Sequence, residues 1–273
     1  MPVVIHLSDI HFGAHVDDLA ESLLADIVGR RPDLVVVSGD LTQRARRDQF
    51  AQAQAFLERL PTPVLAVVGN HDLPLFDLPR RVFTPTRRYQ RYVTANLDPV
   101  VTLPDLVAVG LDTMPAWRWK AGHVSRRQAD LAELAFGRGP VQAWRLLVTH
   151  HPVLPAELSG FAGRGLLVDA CARTGVAVLL SGHTHTASVD LVTLGLEDDR
   201  RQALAVVAGT AVSRRTRGTM NAYVVLDLSA PMRVGANLNV EIRQPDGSGW
   251  SATRTSRFRY ADNGIVAIQP NGT

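Results

Sequence analysis

Acidic, amide and imidazole side chains recur in this sequence directly after short apolar runs. The five groups are Asp9-x-His11, Gly39-Asp40, Gly69-Asn70-His71-Asp72, His150-His151 and Gly182-His183-x-His185. In an extended segment, residues i and i+2 point the same way, so Asp9 and His11 can both face one cavity. The same spacing relates His183 to His185. Imidazole and carboxylate groups without thiolate suit Mn, Fe, Zn or Co, so the chemistry these groups predict is metal binding.

Each group follows an apolar run that reads as a buried strand. The runs cover residues 3–7, 34–37, 64–68, 146–148 and 176–180. Continuous runs rich in β-branched residues and bounded by turn residues are typical of strands buried on both faces. Helical patterns lie between them, with Asp18 as a predicted N-cap, a Ser125–Gln128 capping box and a stop at Gly175. This alternation predicts an α/β fold, in which ligands bind outside the carboxyl ends of the strands.

The ordered motifs D-x-H, G-D, G-N-H-D, H and G-H-x-H, over residues 9–185, resemble the calcineurin-like metallophosphoesterase superfamily. The resemblance implies a four-layer α/β/β/α sandwich with mixed central sheets and a dinuclear metal site. It also implies seven metal ligands. They are Asp9, His11 and His185 for one ion, Asn70, His150 and His183 for the other, and Asp40 between the two.

The same resemblance implies a mechanism. Two divalent or trivalent ions (Mn, Fe, Zn or Co) activate water, and a metal-bound hydroxide attacks phosphorus in line. In the family, the histidine that corresponds to His71 protonates the leaving oxygen or stabilises its charge, and a positioned general acid contributes 10²–10⁴-fold. We expect Asp72 to orient His71, as carboxylates commonly orient imidazoles.

Three further side chains are candidates for substrate binding. Residues 73–98 hold several prolines and arginines, which favours a surface segment whose aromatic residues pack inward. The alternative is an excursion that caps the site, with Arg80 and Arg88 contacting a phosphate. For His151, a substrate contact and a structural hydrogen bond both remain open. Residues 213–217 (Ser-Arg-Arg-Thr-Arg) form a second candidate phosphate contact.

The favoured substrate is a small phosphodiester of the cyclic-nucleotide kind (cAMP-like), since compact bacterial cyclic-nucleotide phosphodiesterases are the members most similar in style. The alternatives are a metal-dependent nuclease on DNA or RNA, a broad-specificity phosphoesterase and a non-catalytic binding module. We expect one metallophosphoesterase domain over residues 1–245 and a partly flexible tail over 246–273. The late strands and the tail are also compatible with a homodimer contact.

The composition excludes several classes of protein. With 46% apolar and 20% charged residues over 273 positions, the chain has the profile of a globular protein. One cysteine, Cys171, excludes an internal disulfide and a zinc–thiolate cluster. No apolar run approaches the ~18 residues of a membrane span. The first residues read as a strand and not as a signal peptide, so we expect a cytoplasmic location without a membrane partner.

Overall fold

The computed structural model describes residues 1–61, 63–195 and 200–268. The helices are α1 (Asp17–Arg30), α2 (Arg47–Leu57), α3 (Leu78–Phe83), α4 (Arg87–Tyr92), α5 (Arg126–Arg138) and α6 (Arg164–Thr174). The strands are β1 (Val3–Leu7), β2 (Leu34–Val37), β3 (Val64–Ala66), β4 (Val100–Leu103), β5 (Leu106–Leu111), β6 (Gly122–His123), β7 (Trp144–Thr149), β8 (Phe161–Ala162), β9 (Val178–Ser181), β10 (Ser188–Leu194), β11 (Arg201–Val207), β12 (Tyr223–Leu228), β13 (Asn237–Pro245), β14 (Trp250–Ala261) and β15 (Gly264–Ala267).

Within the described ranges, most strands belong to one mixed sheet. Its order is β3-β2-β1-β12-β13-β14-β15-β11-β9-β7-β5-β4, with β10 paired to β11. Strands β1, β2 and β3 run parallel, as do β5, β7, β9 and β11. Strand β12 is antiparallel to β1. Parallel strands place their carboxyl ends at one edge, which is where the polar motifs follow.

The sheet folds on itself into two packed halves. We call β1–β3, β12 and β13 the first half, and β5, β7, β9 and β11 the second half. Val36 and Leu146 belong to one apolar core that lies between the halves. Their neighbours along the strands face the opposite way, as alternation requires: Val35 packs in a core under α1 and α2, and Leu147 in a core under α5 and α6. The predicted four-layer α/β/β/α sandwich with mixed sheets is therefore confirmed.

The helix ends confirm two of the three helix boundaries that the sequence predicts. Ser125 Oγ accepts a hydrogen bond from the Gln128 N–H, so the predicted capping box begins α5. Gly175, with φ of 66°, ends α6 in the left-handed conformation. The prediction of Asp18 as an N-cap is wrong by two residues, because α1 begins at Asp17 behind Val16. Asp18 lies in the first turn, where its negative charge interacts favourably with the helix dipole. None of the described helices combines the length and apolar character needed to cross a membrane.

The described part of the segment expected to be a flexible tail forms regular sheet. Strand β14 pairs with β13 along most of its length and with β15 on its other side. Its Trp250 and Phe258 side chains are buried, and this burial holds the strand against the molecule. Residues 269–273 of that segment lie outside the described residues, and the domain boundary at residue 245 stays a prediction.

Candidate metal centre

Five loops bring the predicted ligands together at one edge of the folded sheet. Asp9 and His11 follow β1, Asp40 follows β2, and Asn70 follows β3, all in the first half. From the second half, His150 follows β7, and both His183 and His185 follow β9. The seven residues that the sequence predicted as ligands thus meet where the two halves face each other. All of them are buried except His183, which is partly exposed.

The backbone is held in an unusual conformation at most of these positions. The positive φ angles are 51° at Asp9, 52° at His11, 54° at Asp40, 68° at His183 and 65° at His185. Residues with a Cβ rarely adopt this left-handed region, and each such residue costs of the order of 1–3 kcal/mol. Concentrated strain of this kind is typical of functional sites, where the fold holds side chains in a required direction.

Glycines allow the loops to approach each other closely. A Cβ on Gly69 would lie 2.1 Å from the backbone nitrogen of Asp40, and a Cβ on Gly182 would lie 1.8 Å from Ser8 Oγ. Both distances are far below contact. The glycines of the G-N-H-D and G-H-x-H motifs are therefore required because one ligand loop packs directly against another.

The first group of donor atoms surrounds Asp9. Its Oδ1 lies 3.3 Å from His185 Nε2 and 3.6 Å from His11 Nε2. His11 Nε2 in turn lies 3.8 Å from Asp40 Oδ2. Ligands held about 2.1 Å from one ion lie roughly 3–3.5 Å from each other, so this spacing suits a single cation.

The second group of donor atoms surrounds Asn70. Its Oδ1 lies 3.1 Å from His150 Nε2 and 3.1 Å from His183 Nδ1. His150 Nε2 lies 3.5 Å from Asp40 Oδ2, the same oxygen that faces the first group. One carboxylate oxygen is therefore shared by two candidate cation positions, which is the arrangement that a two-metal site needs.

The imidazoles are oriented by backbone carbonyls behind them. His150 Nδ1 donates to the Ser38 carbonyl at 2.8 Å, and His185 Nδ1 donates to the Arg215 carbonyl at 2.7 Å. A carbonyl only accepts, so these contacts leave the lone pair on Nε2, directed at other acceptor atoms of the cluster. Asp9 Oδ1 and His11 Nε2 are buried without a hydrogen-bond partner. Acceptors that face each other in a buried site are stabilised by a cation between them, so these residues fit a metal pair.

The pKa shifts of Asp9, Asp40, His183 and His185 favour the protonation states that bind metals. Burial lowers the pKa of His183 to about 4, and burial also lowers that of His185, so both are neutral near pH 7. Burial opposes ionisation of Asp9, but the surrounding histidines hold its pKa well below its usual range. The pKa of Asp40 is lowered in the same way. For His11, burial acts against protonation, yet Asp9 and Asp40 raise its pKa, because a positive charge is favoured at this point.

His71 lies beside the cluster, and its ring nitrogens belong to neither of the two donor groups. Its backbone N–H donates to Asp40 Oδ1 at 2.8 Å, and its Nδ1 lies 2.8 Å from the Gln43 carbonyl. The ring packs edge-on against His11, with the centroids 4.9 Å apart. Burial lowers the pKa of His71. The carbonyl fixes Nδ1 as the protonated nitrogen, so Nε2 is the atom available for exchange with a substrate.

The predicted contact between Asp72 and the His71 ring is wrong. The Asp72 carboxylate accepts hydrogen bonds from the Thr42 N–H at 2.8 Å, from Thr42 Oγ1 at 3.0 Å and from the Gly69 N–H at 3.0 Å. It thereby ties the loop after β2 to the loop after β3. Burial raises its pKa to about 6. Gln43 orients His71 instead, through a backbone carbonyl that its side-chain type does not reveal.

His151 lies beside the second donor group, and one of its ring nitrogens is within 4.8 Å of donor atoms of His150 and His183. Its Nδ1 is 2.8 Å from Thr113 Oγ1, its Nε2 is buried without a partner, and its ring centroid is 4.6 Å from that of His183. The Thr113 contact corresponds to the structural hydrogen bond that the sequence left open. A direct contact between His151 and substrate stays a prediction.

We refer to residues 73–98 as the arginine segment. It contains α3 and α4, and its arginines bind within or next to it: Arg80 pairs with Asp77, and Arg88 Nη1 donates to the Ala45 carbonyl at 2.6 Å. Tyr89 and Tyr92 pack against the Phe50 ring of α2. The inward packing expected of a surface segment therefore holds for Tyr89 and Tyr92, whereas Phe83 is 82% exposed. The roles of Arg80 and Arg88 in substrate binding stay predictions.

The loop over residues 213–217 does reach the centre. Arg215 Nη1 lies 3.1 Å from His71 Nε2 and 3.3 Å from Gln43 Oε1. The sequence indicated this loop through its basic composition, but nothing in it distinguished Arg215 from Arg214 or Arg217. The carbonyls of Ser38, Gln43 and Arg215, which orient the imidazoles, were not foreseen, because backbone groups carry no residue-type signal.

Comparison with known proteins agrees with this centre. Residues 2–187 match the family described as Calcineurin-like phosphoesterase. A probable cyclic nucleotide phosphodiesterase of Rhodococcus erythropolis is 29% identical over 67% of this chain and 64% of its own. A cAMP/cGMP dual specificity phosphodiesterase of Mycobacterium tuberculosis is 27% identical over 67% of this chain and 61% of its own. The matches thus span less than two thirds of the length of these two relatives.

Among solved structures, the purple acid phosphatase PPD1 from yellow lupin (Lupinus luteus) aligns over 100% of this chain and 57% of its own, with a TM-score of 0.66. The two sequences are 14% identical, so the likeness concerns the fold.

Proposed function

Because the chain belongs to the calcineurin-like phosphoesterase family, we propose that it hydrolyses phosphodiesters with two metal ions held at the strand ends. The observation that carries the proposal is the position of Asp40 Oδ2. It lies 3.8 Å from His11 Nε2 and 3.5 Å from His150 Nε2, and so joins the two donor groups. An oxygen that faces both donor groups can bind two ions at once, and a site for a single ion does not need it.

The proposed ligands fall into two sets that share this residue. They are Asp9, His11, His185 and Asp40 for one ion, and Asp40, Asn70, His150 and His183 for the other. When bound, the ions supply a water nucleophile at neutral pH and polarise the phosphoryl oxygens. Asp9 and Asp40 are the only formally negative members, so two divalent ions leave the site cationic. A cationic site attracts an anionic phosphate ester. The donor set suits Mn, Fe, Zn or Co.

His71 is the proposed proton donor to the leaving oxygen. Its Nδ1–H is fixed on the Gln43 carbonyl, so the proton that it passes to the leaving oxygen is one that Nε2 first takes up from water. Its backbone N–H is held by Asp40 Oδ1, so the position of the ring is tied to the shared ligand. A donor held in this way lowers the barrier to departure of a poor leaving group more than that of a good one.

The proposed substrate is a small cyclic nucleotide of the cAMP kind. The names of the relatives from Rhodococcus erythropolis and Mycobacterium tuberculosis support this choice. Both are matched over only part of their length, so the substrate class is the finer part of the proposal.

The test uses purified full-length protein reconstituted with Mn²⁺. Hydrolysis of bis-p-nitrophenyl phosphate and of 3′,5′-cAMP, abolished by a chelator and restored by added Mn²⁺, is the expected result. Oligonucleotides, a 2′,3′-cyclic nucleotide and p-nitrophenyl phosphate form the comparison panel. Reconstituted protein that binds two ions yet cleaves no member of the panel would contradict the hydrolase. Preferred cleavage of oligonucleotides would contradict the cyclic-nucleotide assignment alone.

A further inference from the structure

Arg215 occupies a position that the ligand cluster alone does not explain. Its carbonyl accepts from His185 Nδ1 at 2.7 Å, and its Nη1 lies 3.1 Å from His71 Nε2. One residue therefore touches a proposed metal ligand with its backbone and the proposed proton donor with its side chain. The side chain is partly buried, and Gln43 Oε1 holds it from the other side at 3.3 Å.

The charge of Arg215 is not balanced locally. No carboxylate among the described residues lies within salt-bridge distance of its guanidinium, whereas Arg80 pairs with Asp77 and Arg59 pairs with Glu21. Its Nη1 contacts only neutral groups, namely Gln43 Oε1 at 3.3 Å and both ring nitrogens of His71, at 3.1 Å from Nε2 and 3.4 Å from Nδ1. Arginine keeps its charge at all accessible pH values, so a partly buried guanidinium without a carboxylate is favoured by an anion that binds beside it.

We propose that Arg215 binds a non-bridging oxygen of the substrate phosphate on the His71 side of the metal centre. The inference rests on the proposed function and names a residue that the family motifs do not contain. The guanidinium offers a planar set of N–H donors that matches phosphate geometry. When phosphate binds, the Nη1–H leaves His71 for a phosphate oxygen, and His71 Nε2 is then free to take up the proton that it passes to the leaving oxygen.

The positive charge of the guanidinium also favours an anion at this position. A cation next to a pair of metal ions is repelled by them unless an anion lies between. A phosphodiester carries one negative charge over two non-bridging oxygens, and the five-coordinate transition state carries more. Contacts that strengthen as this charge grows lower the barrier as well as the substrate KM.

The experiment compares three variants in Mn²⁺-reconstituted protein. Arg215→Met removes the charge and keeps much of the side-chain volume, Arg215→Lys keeps the charge without the planar fork, and Arg214→Met changes the exposed neighbour as the matched control. We expect Arg215→Met to lower kcat/KM by about 10- to 100-fold, the range for one hydrogen bond to a charged group. Arg215→Lys recovers part of this loss, and Arg214→Met stays within about twofold of wild type.

Metal content separates substrate binding from a structural role. The substitutions leave the Arg215 backbone in place, so the carbonyl that orients His185 remains and both ions should stay bound at wild-type stoichiometry. Loss of an ion from Arg215→Met would show that the residue acts through His185, and would overturn the proposal.

A double variant separates substrate binding from positioning of His71. If Arg215 binds phosphate, Arg215→Met lowers kcat/KM in the His71→Ala background as well. If it only positions His71, the second substitution has no further effect there, and the proposal fails. The substrate for this comparison is bis-p-nitrophenyl phosphate, whose good leaving group keeps the His71→Ala background measurable.

Equilibrium binding of inorganic phosphate keeps the inference independent of turnover. Calorimetry on Mn²⁺-loaded wild type should give a Kd that rises about tenfold or more in Arg215→Met and is unchanged in Arg214→Met. Equal affinities in all three proteins would overturn the role of Arg215 while leaving the hydrolase proposal intact. Phosphate binding that depends on Arg215 in a protein without hydrolytic activity would contradict the hydrolase alone.

Discussion

The metal centre and the arginine segment lie on the same side of the fold, but they satisfy their polar groups in opposite ways. At the centre, Asp9 Oδ1 and His11 Nε2 are buried without partners, and the backbone is strained at most ligand positions. In the arginine segment, Arg80 and Arg88 already have partners in Asp77 and the Ala45 carbonyl. Unsatisfied groups on a strained backbone are typical of a place that binds a ligand, whereas groups that already have partners are typical of structural contacts.

The buried carboxyl groups repeat this difference. The histidines around Asp9 and Asp40 hold both pKa values below their usual range. Asp112 lies at the end of β5, where it influences the pKa of Tyr89 in the arginine segment, and burial raises its own pKa to about 7. The carboxylates of the two donor groups are therefore held ionised, as binding of a cation requires, whereas Asp112 keeps its proton up to about neutral pH.

The largest effect is expected at the shared ligand. Asp40→Ala removes the oxygen common to both donor groups, so both ions should bind more weakly. The activation free energy should rise by several kcal/mol, which lowers the activity about 10³-fold or more. Elemental analysis after gel filtration measures the ions, and exposed Asp48→Ala is the control. If the Asp40→Ala protein kept two tightly bound ions, Asp40 would not be their shared ligand, and the contrast with the arginine segment would fail.

The next effect concerns the proton donor. His71→Ala should keep both ions, because His71 donates no metal-binding atom, and should lower turnover of substrates with poor leaving groups by about 10²–10⁴-fold. Bis-p-nitrophenyl phosphate, with its good leaving group, should lose less. Rates on 3′,5′-cAMP and on the p-nitrophenyl ester measure the difference, with His123→Ala as the control. Equal losses on both substrates would argue against proton donation.

The third effect is on stability and depends on pH. Because burial raises the pKa of Asp112 to about 7, the unfolded chain releases a proton between about pH 4 and pH 7 that the folded chain keeps. The contribution of Asp112 to stability therefore falls as the pH rises through that range and is level above it. Asp112→Asn keeps the acceptor for the Met114 N–H at 2.8 Å and removes the ionisation.

Relative to wild type, the Asn variant should gain stability with rising pH, up to about 4 kcal/mol above pH 7. Urea unfolding of metal-free protein at pH 5 and pH 8 measures this gain. Parallel pH profiles for the two proteins would show that Asp112 ionises normally in the fold.

The smallest effect is expected in the arginine segment. The double variant Arg80→Met/Arg88→Met should change kcat/KM by less than about threefold, since both guanidiniums are occupied by local contacts. It should cost about 1 kcal/mol of stability through the lost hydrogen bond to Ala45. A loss of kcat/KM as large as that of Arg215→Met would instead place substrate binding on this segment and erase the contrast with the centre.

The sequence predicted the convergence of the ligands well, for a physical reason. Parallel strands end at one edge, so motifs such as Asp9-x-His11 and His183-x-His185 had to meet there once the strands were recognised. The four-layer fold came from the resemblance carried by the same motifs. Residues that act through a side chain of distinctive type, at a strand end, are the ones that a sequence identifies.

Other features could not be read in the same way. Asp72 is adjacent to His71 in sequence, but its carboxylate turns to Thr42 and Gly69, because a short helical turn points successive side chains in different directions. Arg215 lies far from His71 along the chain, and only the closed sandwich brings them together. Strand β14 reads as a polar tail, since its buried Trp250 and Phe258 are separated by residues that face solvent.

The ligand loops come from both halves of the sandwich, with Asp9 and Asn70 on one side and His150 and His185 on the other. Ions bound at the proposed site would connect the two halves, and they would bind only when the fold is assembled. Mass action then adds about 2.7 kcal/mol to the folded state when a free ion is at 100 times its Kd. A supply of the metal in the cell would therefore raise the stability of the folded protein as well as permit its activity.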